Sequence, residues 1–540
     1  MGNVTRRDFI KVVGATASVA VATGFNPRSY AANERIRVGM IGVGGQGCKH
    51  IEYGICNSPK LLLGAICDIY KPHREAALKL IDANYPEEEA MEVQVYTGEW
   101  REMLDKEQLD AVVISTPLDR HHEMVMECLD RGLYVFSEKC LAYTIEKCRD
   151  IVTKCHETGK FCQVGHQRRY NPVYNKALWL ARETPLIGRI NHISAQWHRN
   201  DDWRRFVDPN YVLDEMEAKY ITDLDEHLNW RLYFKHSGGL MTELGTHQTD
   251  IGTWFLGTPP SKVTAYGGTD YWRDGRDVED NVAVVYHYDI PRSAKSFQPA
   301  QPRTEFQNKS QLSRPYAVQF TYSSITANSK KGATEYIHGD YGTLELSEQL
   351  GGRLYSEYGP IQDKEALLQK MTAADQANVV ANRISQAPPT AFTEGIPVRI
   401  VPEEGSQQIL EIGQKEIDAY QFVAFANDIV NNTVPKSNQY VGLLTAITGL
   451  SAVQSLHEKK EVVIDPAWYT FDFEVPDPYR YDYFPGPEAK PAAPGSAPAD
   501  GAAVPEVSTT PAPADATAPA PAAPAPEAAP APAPAPAPAV

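Results

Sequence analysis

An apolar strand that runs straight into a spaced set of glycines constrains this chain more than any other feature. Arg37-Val38-Gly39-Met40-Ile41 is followed at once by Gly42-Val43-Gly44-Gly45-Gln46-Gly47. In such a turn Gly42 permits the tight bend, Gly44 lets backbone approach a pyrophosphate, and Gly47 allows close packing of helix on strand. The segment from Gln46 to Gly54 can open that helix, and its first residues, Gly45 and Gln46, present backbone N–H groups suited to phosphate. Asp68 closes the next apolar run about twenty positions beyond Gly47, where a carboxylate accepts hydrogen bonds from adenosine ribose hydroxyls. That placement favours NAD over NADP, although Lys71 and Arg74 lie near enough to leave NADP open.

The pattern continues as alternating strands and helices. Leu61–Cys67, Asp110–Ser115 and Gly132–Phe136 are apolar runs without alternation, and helical segments are expected over Arg74–Ala83 and His121–Arg131. Unalternated apolar strands separated by helices predict a parallel sheet covered on both faces. Farther along, Val263–Gly267, Val282–Tyr288, Val318–Tyr322 and Thr334–His338 read as alternating or β-rich strands of a second, mostly antiparallel sheet. Residues 291–315 and 361–402 are long and strand-poor, and are expected to be insertions.

The two ends differ from this body. Thr5-Arg6-Arg7-Asp8-Phe9-Ile10-Lys11 precedes a weakly apolar stretch, Val12 to Ala22, too short to span a bilayer, and Ser29-Tyr30-Ala31 offers a small-residue cleavage site. Residues 1–31 are therefore expected to be a twin-arginine export signal, with the Tat machinery as partner and a periplasmic or otherwise exported address. From about Gly486 to the end the chain is Pro- and Ala-rich, with almost nothing to bury, and is expected to stay disordered and extended. A net charge of −17 argues against a nucleic-acid partner. No stretch of the mature chain is expected to span a membrane. The eight cysteines lie between Cys48 and Cys162 without a paired metal-ligand spacing, so buried free thiols are expected and no metal site is.

Several segments, in order, resemble the Gfo/Idh/MocA family, which groups glucose–fructose oxidoreductase with inositol dehydrogenase and relatives acting on sugars and polyols. They are Asp110–Pro117, His121-His122, Gly132–Lys139, Gln163–Pro172, Gly238–Asp250, Gly339–Leu344 and the Phe422–Asn432 region. The resemblance runs from about Arg35 to Ile464. It implies a Rossmann domain, taken as residues 35–163, then an α+β domain, 164–480, whose large open sheet covers the nicotinamide and often forms homo-oligomers. It also implies that Thr116, Pro117, His121, Glu138 and Lys139 join the glycine turn in lining the cofactor.

Catalytic roles follow from the same resemblance. Taking a hydride from a carbinol carbon requires a base for the hydroxyl proton and a cation for the developing alkoxide. The family assigns these to a lysine and to an acid–histidine pair four residues apart, which fall here on Lys139, Glu243 and His247. His247 is expected to exchange the proton, Lys139 to polarise the hydroxyl, and Glu243 to orient His247. Two departures stand out: Cys140 occupies the place of the family's proline after Lys139, and Glu243 replaces a more usual aspartate. Arg168, Tyr170, His198, Trp203, Arg204, Trp230, Arg231 and Asp250 are the expected substrate groups.

An exported enzyme meets little free nicotinamide, so a retained cofactor recycled within each turnover is expected. The leading expectation is an NAD(P)-dependent oxidoreductase acting on a small carbohydrate. The alternatives are a glycoside-cleaving enzyme that works by transient oxidation, and a sugar-binding protein with a degenerate site.

Overall fold

The central strand β1 (Ile36–Ile41) is buried at every position but Arg37 because it is paired on both edges and covered on both faces. A computed structural model describes residues 35–184, 186–299, 312–348, 351–356, 396–397 and 414–481. The expected export signal and Pro/Ala tail lie outside these residues. Residues 300–311 of the first expected insertion, and all of the second except 396–397, lie outside them too.

Five further strands complete the first sheet: β2 (Leu61–Asp68), β3 (Gln94–Thr97), β4 (Ala111–Ile114), β5 (Tyr134–Ser137) and β6 (Cys162–Val164). The order is β3-β2-β1-β4-β5-β6, parallel throughout. This is the doubly wound dinucleotide-binding order, and its crevice opens beyond the carboxyl ends of β1 and β4, where the order reverses. Every chemistry-bearing motif of the first half leaves the sheet on that edge: the glycine turn after β1, Ser115–Pro117 after β4, Glu138–Lys139 after β5 and His166 after β6.

The second sheet is the expected open, mostly antiparallel one. Its nine strands run β14-β13-β12-β11-β7-β10-β9-β8-β15, with β7 (Ile190–His198) parallel to β10 (Tyr316–Ile325) and antiparallel to β11 (Ala333–Gly339). The remaining strands are β8 (Lys262–Gly268), β9 (Asn281–Ile290), β12 (Gly342–Ser347), β13 (Gly351–Ser356), β14 (Ile396–Pro397) and β15 (Val462–Val463). Burial alternates along β9, so Tyr286 and Tyr288 enter the core while Val285 faces outward.

Two late helices bind the halves together. Gln414–Asn431 sends Phe422 and Phe425 into the core behind β1 and β5, where Phe422 stacks on Phe136 at 4.7 Å. Gln439–Glu458 is buried on nearly all sides. Its first half, including Leu443 and Ile447, packs with Val135 and Cys148 of the first sheet's core, whereas Ala452 and Leu456 belong to the second. All eight cysteines are free, six of them buried. Among the described residues no helix is long and apolar enough to cross a membrane.

Candidate active site

The glycine turn is shaped by contacts that forbid a side chain. Gly42 has φ +87°, and a Cβ there would stand 2.7 Å from the Ser115 carbonyl oxygen. At Gly47 a Cβ would lie 2.3 Å from the Gly42 carbonyl oxygen. Gly44 rests against the His73 ring, while Gly45 opens onto empty space. A helix does open here, at Gly45, and passes into a π-turn at His50–Gly54. Asp68 accepts hydrogen bonds from the Val43 and Tyr70 N–H groups, each 2.8 Å. Burial opposes its charge, yet His73 and these two donors prevail and hold the carboxyl below its ordinary value. Glycines that leave room for backbone approach, beside an ionised Asp68, fit a dinucleotide.

Glu138 and Lys139 follow β5 into the same crevice. The Glu138 carboxylate is 2.7 Å from His50 Nε2 and 3.4 Å from Gln46 Nε2. Although burial raises it, His50 and Lys139 bring its pKa down to about 2. Lys139 Nζ donates to the Glu243 carbonyl oxygen at 2.7 Å and to that of Thr242 at 3.4 Å, leaving one of three ammonium N–H groups for a ligand. The Lys139–Cys140 peptide is cis. The ring nitrogens of His121 lie 2.8 Å from the Cys140 carbonyl oxygen and 2.9 Å from that of Thr116. It is buried and clamps the Thr116-Pro117 turn to the lysine loop, so both of its ring nitrogens are committed to positioning these two segments.

His247 opens the helix Thr246–Leu256. Burial, together with the charges of Lys139, Arg168 and other neighbours, holds its imidazole neutral, well below the ordinary histidine value. His166, 6.4 Å away between ring centroids, is lowered to about 4, chiefly by burial. The expected Glu243–His247 pair is not formed. The Glu243 carboxylate turns instead to Arg231, with Nε to Oε2 at 2.9 Å, because the guanidinium offers it a full opposite charge.

Five of the expected substrate groups are committed elsewhere. Asp250 is buried and gripped by Arg169 through Nε at 2.9 Å and Nη2 at 2.7 Å. Arg168 pairs with buried Glu335 at 2.6 Å, and the Tyr170 hydroxyl lies 3.1 Å from Ser437 Oγ. Arg204 joins Asp225 and Asp274. His198 contacts Ser323 Oγ at 2.9 Å. Of the other three, Arg231 stacks on Trp230 at 4.2 Å and reaches Glu243, while Trp203, with a positive φ of 64°, has the Arg199 guanidinium 4.5 Å from its ring.

Two residues were missed by sequence reasoning. Arg199 lies 5.5 Å from the Trp197 ring and 4.5 Å from that of Trp203, and Trp197 is 5.4 Å from His247. Glu217 is fully buried and accepts from Lys71 N at 2.7 Å, Tyr211 Oη at 2.7 Å and Asp214 N at 2.9 Å. It ties the 208–221 segment over Asp68, where Tyr70 stacks edge-on with Tyr211 and His73. Neither residue carries a sequence signal, since each depends on partners from distant segments.

Strand order, glycine turn and the lysine–histidine crevice define a dinucleotide-binding oxidoreductase fold. Residues 36–166 match the oxidoreductase family with an NAD-binding Rossmann fold, and residues 183–295 match the GFO/IDH/MocA C-terminal domain. These two segments are thus matched as the two domains of the Gfo/Idh/MocA family, the first of them an NAD-binding Rossmann domain. Among curated relatives, a glycosyl hydrolase family 109 protein of Shewanella baltica is 27% identical over 266 residues, 45% of this chain and 55% of that protein. An alpha-N-acetylgalactosaminidase of Shewanella oneidensis is 29% identical over 240 residues, 38% of this chain and 51% of that protein. The chain thus spans about half the length of the curated relatives it matches. Its fold is similar to that of an oxidoreductase domain protein from Kribbella flavida, with TM-score 0.55 and 16% identity over 80% of this chain and all of that one. A levoglucosan dehydrogenase solved with NADH and levoglucosan gives TM-score 0.54 and 18% identity over the same shares.

Proposed function

We propose that this protein is an NAD-dependent oxidoreductase that acts on a hydroxyl of a sugar, polyol or glycan-derived substrate and keeps its cofactor through each turnover. The observation that carries this reading is the meeting of a part-committed Lys139 ammonium with a neutral, buried His247 at the carboxyl edge of the Rossmann sheet. Lys139 holds a substrate oxygen with its remaining N–H and stabilises alkoxide charge, while His247 takes the hydroxyl proton. When bound, the nicotinamide supplies the acceptor for the hydride and can return it. Glu138, His50 and His121 hold the lysine loop in place.

Retention is supported by Glu217, which fastens a segment of the second half to the first turn of the helix Lys71–Asn84 beside Asp68. The twin-arginine segment Thr5–Lys11 supports export in a folded, cofactor-loaded state. The outward face of the second sheet, carrying Val285 and Tyr266, supports self-association.

A second reading is favoured by the glycosyl hydrolase family 109 relatives. In it His247 would take the proton of a ring hydroxyl whose hydride passes to bound nicotinamide, the acidified neighbouring C–H would lose its proton as the glycosidic bond breaks, water would add to the resulting enone, and the hydride would return to the ketone. One experiment separates the two. Purified full-length protein is denatured and its released dinucleotide identified, then intact protein is given paired sugars and a chromogenic α-N-acetylgalactosaminide. Bound NAD with exchange between sugars supports the first reading, and release of the chromogen without net change in nicotinamide absorbance supports the second. Lys139→Ala is expected to lower either activity by about 100-fold or more. A protein that neither contains nor binds NAD, or a Lys139→Ala variant as active as the parent, sinks both.

A further inference from the structure

Each arginine around the crevice has a carboxylate partner except one. Arg168 is paired with Glu335, Arg204 with Asp225, Arg231 with Glu243 and Arg276 with Asp274. Arg199 follows β7 directly, and its backbone N–H is held by the Ile325 carbonyl oxygen at 2.9 Å. Its guanidinium lies 4.5 Å from the Trp203 ring and 5.5 Å from that of Trp197, and its Nε is buried without a hydrogen-bond partner. Among the described residues it forms no ion pair. Asp201, the carboxylate whose charge acts most on it, uses Oδ1 to accept from the N–H of Trp203, a residue in the left-handed conformation, at 2.7 Å.

An unpaired guanidinium between aromatic rings is costly to bury and strong when it meets an anion, because little water competes for its planar fork. Its location narrows the anion to one carried by the substrate. Trp197 bridges Arg199 to His247, and the charge of Arg199 is one of those that keep His247 neutral. Glu243, whose charge also acts on Arg199, is already paired with Arg231.

We propose that Arg199 is the specificity residue of the substrate site and receives an anionic group, carboxylate or sulfate, on the sugar unit that is oxidised. This rests on the carbohydrate reading above and assigns its substrate class: acidic sugars rather than neutral ones. A carboxylate fits the guanidinium fork in two parallel hydrogen bonds, whereas a sulfate ester can present two of its three oxygens in the same way.

The test is calorimetric titration of the NAD-loaded full-length protein with glucose, glucuronate, galacturonate and glucose 6-sulfate, for the parent, Arg199→Gln and Arg199→Lys. At least one anionic sugar is expected to bind about 10-fold or more tightly than glucose. Arg199→Gln should collapse that ratio towards one, and Arg199→Lys should restore part of it. A preference for uronates alone would assign a carboxylate, and one for glucose 6-sulfate alone a sulfate. Equal binding of charged and neutral sugars, no binding of any anionic sugar at millimolar concentration, or a preference that survives Arg199→Gln would each overturn the assignment. The two readings fail separately: turnover of neutral sugars alone leaves the oxidoreductase standing without the anion subsite. Tight uronate binding without hydride transfer does the reverse.

Discussion

Acidification should unfold this protein from its active site outward, and His166 allows the size of the effect to be worked out. Its imidazole is fully buried and its folded-state pKa is about 4, against an ordinary value near 6.5. The cause is first burial, which disfavours the charged ring, offset in part by Asp250, whose Oδ2 lies 3.9 Å from Nδ1. Because the folded value is depressed, the unfolded chain binds the proton first as pH falls through 6.5. Stability is therefore full above that value and is lost between about 6.5 and 4. A gap of about 2.5 pKa units corresponds to about 3 kcal/mol, most of it gone by pH 4.5. His247 is shifted the same way and adds to the loss. The assay is denaturant unfolding at pH 7.5, 5.5 and 4.5 for the parent and His166→Gln, read as the difference between their pH slopes. The variant should lose about 3 kcal/mol less than the parent over that range. Parallel slopes, or a His166 resonance that titrates near 6.5 in the folded protein, would refute the reasoning.

Three further outcomes are expected. Gly47→Ala places a methyl 2.3 Å from the Gly42 carbonyl oxygen, so the purified variant should come out without dinucleotide, as read by the absorbance of the denatured extract. Glu217→Gln leaves the shape of the 208–221 tie but weakens three hydrogen bonds to a carboxylate; cofactor release, followed by fluorescence, should speed up by about 10-fold. Leu443→Ala empties a fully buried site in the late helix and should cost about 2–5 kcal/mol, measured by chemical denaturation. An unchanged unfolding midpoint there would deny that helix its place in the first sheet's core.

The cofactor half was legible from residue order because its signals are local. A strand, a glycine turn and an acid about twenty positions on are neighbours in chain and in space, and Gly42, Gly44, Gly47 and Asp68 stand where that logic puts them. The strands of the second sheet that alternate clearly, such as β9, were legible for the same reason. β7 was not, because a strand carrying Asn191, His192, Ser194, Gln196 and His198 reads as polar until its neighbours β10 and β11 are known. The helix Gln439–Glu458 shows no single apolar stripe, since it serves two cores at once.

What the sequence determined by itself was the Rossmann frame, the kind of cofactor and the presence of Lys139 and His247. Only the tertiary structure decided how the charges pair. It turned Glu243 away from His247 to Arg231, locked Asp250 onto Arg169, occupied both ring nitrogens of His121 with carbonyls and left Arg199 alone between tryptophans. The reason is physical: backbone conformation responds to near neighbours, whereas a buried charge answers to whichever opposite charge the folded chain brings within a few ångströms, however distant in sequence.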